Sequence, residues 1–210
     1  LSSVVPPING ALVAAVRMIT GIHPLVVGPG MKTGLNIALD NPATMGSDLV
    51  VGAAAALAMH APPLIIIDMG TATTMTVIDR EARVLGGAII PGVGISLEAL
   101  ASGTSQLPHI SLDAPKKCIS TDTIEAMRSG SVYGTAAMLD GMIERMEDEL
   151  GESATVIATG GLGGIVIPHC RREVIYEKNL LLNGLWELYQ KISASAERAH
   201  RRIGVTEAAP

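Results

Sequence analysis

The stretch Leu64–Pro91, LIIIDMGTATTMTVIDREARVLGGAIIP, constrains this chain more than any other. Leu64–Ile67 is a short apolar run rich in Ile, which reads as a buried strand. It stops on Asp68 and Gly70. A second β-prone run reaches Ile78, Asp79–Ala82 is polar and turn-like, and a third run, Arg83–Ile90, contains the Gly86-Gly87 pair. The whole predicts a strand, a sharp glycine turn and a hairpin.

The turn carries the chemistry. A carboxylate at the end of a buried strand faces a cleft rather than a core. Gly70 lets the backbone approach a ligand closely. Thr71 and Thr73 add hydroxyls, and successive N–H groups in such a turn can form an anion-binding concavity. Phosphate, or a cation bound to phosphate, suits these groups. An ordinary hairpin with threonines on its wet face accounts for the same residues, and the local sequence leaves both readings open.

The rest of the chain alternates strands and helices around this hairpin. Val4-Val5, before Pro6-Pro7, reads as the tail of a strand with nothing before it, so a preceding amino-terminal segment is expected. Gly10–Ile19 predicts a short helix closed by Gly21, and Leu25–Val27 a short buried strand. The glycine-rich loop from Gly28 to Gly34 ends in Lys32-Thr33-Gly34, but it is no Walker A loop. That template needs glycines where Met31 and Val26 stand, so the loop is either ligand-facing or a plain turn. Gly46-Ser47-Asp48 leads into an Ala-rich helix, Leu49–His60, with Ser47 or Asp48 as its N-cap. A carboxylate placed to complement the helix dipole is by itself a sufficient reason for Asp48.

Further on, Gly92–Ala101 predicts a helix, and Asp122–Leu150 a long helix or a kinked pair whose Glu144–Glu149 end is a solvated face. Ala154–Ala158 predicts another buried strand, stopping at Thr159-Gly160-Gly161. Val174–Tyr176 predicts a short strand, Leu180–Arg202 a closing amphipathic helix, and Gly204–Pro210 a frayed tail. This order argues an α/β fold with a sheet of mixed direction.

Several function classes find no support. The net charge of −5 gives no basic footprint for nucleic acid, and the near absence of aromatics leaves no base-stacking platform. No run approaches the length of a membrane span. Cys118 and Cys170 stand far apart in no metal spacing, and the five histidines form no His-x-x-x-His pair. Gly-x-Ser-x-Gly is absent. A cytoplasmic protein is the default reading.

The informative residues are carboxylates and threonines beside glycines, and they fall into an ordered set. It comprises Ser2-Ser3-Val4-Val5-Pro6-Pro7; Gly28-Pro29-Gly30-Met31-Lys32-Thr33-Gly34; Asn41-Pro42 leading to Gly46-Ser47-Asp48; Asp68-Met69-Gly70-Thr71-Ala72-Thr73-Thr74; Gly86-Gly87-Ala88-Ile89-Ile90-Pro91-Gly92; Thr123 with Ser129-Gly130; and Thr159-Gly160-Gly161. Taken together, the set resembles the type III pantothenate kinases of the actin-like, sugar-kinase and heat-shock ATPase superfamily.

The resemblance implies a ribonuclease H-like (actin-like ATPase) fold, a mixed sheet with flanking helices. Residues 1–62 would be the remainder of an incomplete first half, and 63–210 the second half. It implies ATP-dependent phosphorylation of pantothenate to 4′-phosphopantothenate, the entry step to coenzyme A, with Mg2+ and a monovalent cation (K+ or NH4+). Asp48 would be the general base. Asp68 would help bind the monovalent cation, Thr71 would contact ATP phosphate oxygens, and Gly70, Gly160 and Gly161 would lie at the nucleotide. Gly46, Ser47, Asp48, Leu49 and Thr123 would line the pantothenate site, formed at a homodimer interface with the Thr coming from the partner subunit.

The chain departs from the family at three places. Leu49 stands where the family commonly has Arg, and Leu39 where it often has Tyr. The family's first phosphate motif, Asp-x-Gly-Asn-Thr-Asn, belongs upstream of Leu1. Two alternatives follow: a non-catalytic regulatory or binding relative of the same fold, or another small-molecule kinase or phosphatase of the superfamily.

Overall fold

The computed structural model describes residues 1–206, with side chains to residue 195. The chain divides into two compact units, one made of Leu1–Met59 with the helix that begins at Leu180, the other of His60–Asn179.

The second unit is built on the predicted hairpin. Strands β2 (Leu64–Met69), β3 (Ala72–Ile78) and β4 (Arg83–Pro91) form an antiparallel meander. Strand β5 (Thr155–Thr159) pairs parallel with β2, and β6 (Ile175–Tyr176) parallel with β5. The resulting order within this unit is β4-β3-β2-β5-β6. The chain therefore carries the mixed α/β sheet with flanking helices that its residue pattern and its resemblance imply.

Period-two alternation divides β2 between two faces. Ile65, Ile67 and Met69 share a buried cluster with Met75 and Val77 of β3 and Val156 and Ala158 of β5. Helix α4 (Thr123–Leu150) covers this face with Ala136, Leu139 and Ile143, a helical-period stripe. Each such fully buried aliphatic chain contributes about 1.5–3 kcal/mol. The other face of β2 carries Leu64, Ile66 and Asp68. Helix α3 (Val93–Ser102) follows the meander, and the four-residue α5 (Gly163–Val166) follows β5.

Helix α4 is one uninterrupted helix, not a kinked pair. Asp122 caps it by accepting from Glu125 N–H at 3.0 Å, and Gly151 closes it in the left-handed region. Its acidic end is only partly a solvated face. Half-buried Glu147 takes a hydrogen bond from Ala154 N–H at 3.0 Å and one from the Arg172 guanidinium at 2.5 Å.

The first unit pairs α2 (Ser47–Met59) with α6 (Leu180–Thr206). Gly184 makes the close approach possible, since a Cβ there would sit 2.1 Å from the Val51 carbonyl oxygen. Val27, Val51, Ala54 and Leu188 form the buried cluster. Helix α1 spans Pro6–Thr20 and starts earlier than predicted, because Pro6-Pro7 occupies the first turn, where a missing N–H costs nothing. Strand β1 is only Asn36–Ile37. The expected strand at Leu25–Val27 is not regular, although Leu1 is tied to it by Val27 N–H donating to Leu1 O at 2.8 Å. The predicted tail is helical through Thr206, and its remaining residues, 207–210, lie outside the described residues.

Candidate active site

Two strand ends meet in the second unit. Strands β2 and β5 run parallel and finish level, with Asp68 opposite Thr159. On its other side Asp68 is opposite Thr74 of β3. Register partners share a face, so hydroxyl, carboxylate and hydroxyl form a row across three strands. Beyond the row the chain turns at Gly70-Thr71 and at Gly160-Gly161. Gly70, Thr71 and Gly161 are exposed, Asp68 and Gly160 are half-buried, and Thr159 is buried.

The two turns are locked together through backbone. Gly160 has φ +99°, and a Cβ there would lie 2.5 Å from the Met69 carbonyl, so only glycine fits. Gly92, just before α3, is equally close to the first turn. Its Cβ would fall 2.1 Å from the Thr71 carbonyl oxygen. Gly70 differs. A Cβ there would meet only ordinary contacts, Ala72 O at 3.6 Å and Asp68 Oδ1 at 3.8 Å.

The groups at these strand ends are carboxylate and hydroxyl oxygens and the backbone C=O and N–H groups of two glycine turns. Oxygen donors of this kind suit a hard cation, and the N–H groups suit phosphate oxygens. The residues present therefore fit ATP with Mg2+ and an alkali or ammonium ion. Thr73, in contrast, points the other way. It is 1% exposed on the core face, and its hydroxyl has no hydrogen-bond partner. The wet-face reading fails for that residue, because alternation puts it on the face of Met69 and Met75.

The second group lies in the first unit, at the start of α2. Val50 N–H donates to Gly46 O at 3.1 Å, which makes Gly46 the cap position. Ser47 and Asp48 are thus in the first turn rather than at the N-cap. Asp48 Oδ1 accepts from Leu49 N–H at 2.8 Å, and a Cβ on Gly46 would lie 2.4 Å from that oxygen. Glycine at 46 leaves room for the carboxylate to fold back over the helix start. Ser47 Oγ accepts from Ser2 Oγ at 2.8 Å and donates to Ser3 O at 3.2 Å, which pins the Ser2-Ser3 string to this turn. The glycine-rich loop lines a cavity of about 300 Å³ with Ile37, Pro42, Met45, Ser47 and Val50. The loop forms a turn, with Met31 N–H donating to Gly28 O at 3.2 Å, and walls that cavity.

Thr123 is the first residue of α4 and is exposed. It lines an open groove of about 730 Å³ between α3 and α4, together with Pro91, Val93, Leu100, Met127 and Gly130. Asp68, Gly70, Thr71, Gly160 and Gly161 thus come together, and so do Gly46, Ser47, Asp48 and Leu49. The first set and Thr123 belong to the second unit, the other set to the first.

One contact at the Gly160 turn escaped the sequence. Tyr176 Oη donates to Gly160 O at 2.8 Å, and its ring lies against Gly163. Only the parallel pairing of β6 with β5 brings them together, and a two-residue strand leaves almost no periodic signal.

Comparison with known proteins gives concordant matches. A family model described as type III pantothenate kinase matches residues 1–145. A curated relative of that name from an Exiguobacterium species is 46% identical over 191 residues, covering 91% of this chain and 75% of the relative. Another, from Bacillus cytotoxicus, is 43% identical and covers 91% and 73%. Among solved structures, one described as a Baf family transcriptional activator from Campylobacter jejuni aligns with a TM-score of 0.60 at 18% identity, covering 91% of this chain and 81% of that one. At that identity the likeness shows a shared fold.

Proposed function

The chain belongs to the type III pantothenate kinase family, and we propose that it transfers the γ-phosphoryl group of ATP to the primary hydroxyl of pantothenate. The observation that carries the mechanism is the junction of the Asp68–Thr71 and Gly160–Gly161 turns at the level ends of two parallel strands. Phosphoryl transfer asks mainly for positioning and charge neutralisation, and this junction supplies both kinds of group.

In this reading Asp48 accepts the proton of the attacking hydroxyl as the new O–P bond forms and the Pγ–O bond to ADP breaks. Seating at a helix start orients the carboxylate, and Gly46 leaves it space. Thr71 donates to an ATP phosphate oxygen, with Gly70 allowing close approach, and the Gly160–Gly161 turn lies at the nucleotide. Asp68 helps hold the monovalent cation, K+ or NH4+. When bound, that cation and Mg2+ offset the charge on the phosphates. Gly46, Ser47 and Leu49 line the acceptor site, and Thr123 of one subunit completes the site of the other in a homodimer. The apolar walls of the cavity beside Ser47 suit the gem-dimethyl carbon next to the reacting hydroxyl. Leu49 and Leu39 leave pantothenate without the Arg and Tyr contacts common in the family. We place the reaction in the cytoplasm, where ATP is available. Among the described residues no helix is long and apolar enough to cross a membrane.

The test is product identity. The protein incubated with ATP, Mg2+, K+ and pantothenate is expected to yield 4′-phosphopantothenate and ADP in equal amounts by mass spectrometry. ADP without a phosphorylated acceptor, or no turnover with pantothenate, would contradict the proposal.

A further inference from the structure

The Gly160 carbonyl accepts two hydrogen bonds. Tyr176 Oη donates to it at 2.8 Å and Gly163 N–H at 3.2 Å. The tyrosine is itself fixed. Its backbone pairs with Ala158, and Glu177 N–H donates to Ala158 O at 2.8 Å. Its ring is flush against the next turn of chain, because a Cβ on Gly163 would lie 2.5 Å from Cε2. The glycine at 163 is what lets the ring come close enough for the hydroxyl to reach Gly160.

This arrangement decides where the next N–H points. The Gly160–Gly161 peptide is planar and trans, so its C=O and N–H are directed oppositely. With the carbonyl drawn toward Tyr176, the Gly161 N–H is turned away from it. Gly161 is exposed, a Cβ there would meet nothing within 4 Å, and its N–H donates to no other described residue. An outward N–H beside the Asp68–Thr71 turn is a ready donor for an anionic oxygen.

We propose that Tyr176 is a positioning residue for the nucleotide: its hydroxyl sets the Gly160–Gly161 peptide so that Gly161 N–H donates to an oxygen of bound ATP. The inference rests on the nucleotide reading of this turn. Tyr176 touches no substrate. It acts through the peptide that does.

Tyr176→Phe keeps the ring on Gly163 and removes only the hydroxyl. Losing one hydrogen bond of ordinary strength is expected to raise the Kd of MgATP, measured calorimetrically without pantothenate, by about 3- to 10-fold. The KM for ATP rises with it, while kcat and the KM for pantothenate stay within about twofold. A second readout separates positioning from general loosening. The backbone amide resonance of Gly161 is expected to shift on MgATP addition to the native protein and to shift less in Tyr176→Phe. Equal ATP affinity in the two proteins, or a Gly161 resonance that MgATP moves equally in both, overturns the role of Tyr176 and leaves the nucleotide reading standing. Failure of the unaltered protein to bind MgATP overturns both.

Discussion

Asp68 and Thr159 stand opposite each other at the carboxyl ends of the parallel strands β2 and β5, with Thr74 opposite Asp68 on the antiparallel side. Paired Cβ atoms of this kind lie about 5 Å apart, close enough for a carboxylate and two hydroxyls to share one cation. Asp68→Asn replaces one hard oxygen by an amide NH2 that cannot ligate a cation. Activity titrated with KCl at constant ionic strength is expected to show a half-saturating K+ concentration raised about tenfold or more. An unchanged K+ midpoint would take Asp68 out of the cation site.

The junction of the two turns also makes a stability prediction. Gly160→Ala forces φ +99° on a residue with a Cβ and drives that Cβ into the Met69 backbone. Backbone cannot move aside as a side chain can, so a loss of about 2–4 kcal/mol is expected in denaturant unfolding. Gly161→Ala, with nothing within 4 Å of its Cβ, is expected to stay within about 0.5 kcal/mol. Equal effects at the two positions would mean that the strand ends are not packed as described.

The hairpin turn between β3 and β4 predicts an acid response. Asp79 is buried, which alone would raise its carboxyl pKa. Hydrogen bonds from Arg83 N–H at 2.8 Å and Arg83 Nε at 2.7 Å, with the guanidinium charge, outweigh burial and hold it below the ordinary carboxylate value. A carboxylate with a lowered folded-state pKa stabilises the fold above its unfolded value, near 3.8. That contribution is lost as pH falls through the lower folded value. Asp79→Asn is therefore expected to be less stable than the unaltered protein at neutral pH, with the gap closing as pH drops below about 4. A gap independent of pH would contradict the ionised pair.

The two thiols are expected to differ in reactivity. Burial, and next the charge of Asp140, push the Cys170 thiol up to about 11, whereas Cys118 is exposed. Since the thiolate is the reactive species, iodoacetamide at pH 8 should label Cys118 readily and Cys170 only after denaturation. Peptide mapping by mass spectrometry distinguishes them, and early labelling of Cys170 would show that its loop is open in solution.

The parts of the fold legible in the sequence were those with strong periodic patterns. The hairpin from Leu64 to Pro91, the strand ending at Thr159 and the long helix from Thr123 all carry apolar runs long enough to fix type and extent. Elements without such runs were misread. The helix predicted from Gly10 in fact opens at Pro6, and the strand predicted at Leu25–Val27 is irregular. The sequence left Thr73 open between a phosphate turn and a wet hairpin face, and strand alternation instead buries it beside Met69 and Met75. The grouping of Asp68 with Thr71 was visible in the sequence, since four consecutive residues cannot be far apart. Gly160 was legible only through the resemblance, and Tyr176 joins it only through strand pairing, which one sequence does not reveal.

The account rests most heavily on Asp48 as the base. The direct measurement is a single-turnover experiment on Asp48→Asn with ATP, Mg2+, K+ and pantothenate, with MgATP affinity measured on the same protein. The account predicts a chemical step slowed by about 10²–10⁴-fold with ATP affinity and thermal unfolding nearly unchanged. Phosphoryl transfer at the unaltered rate in that variant would contradict it.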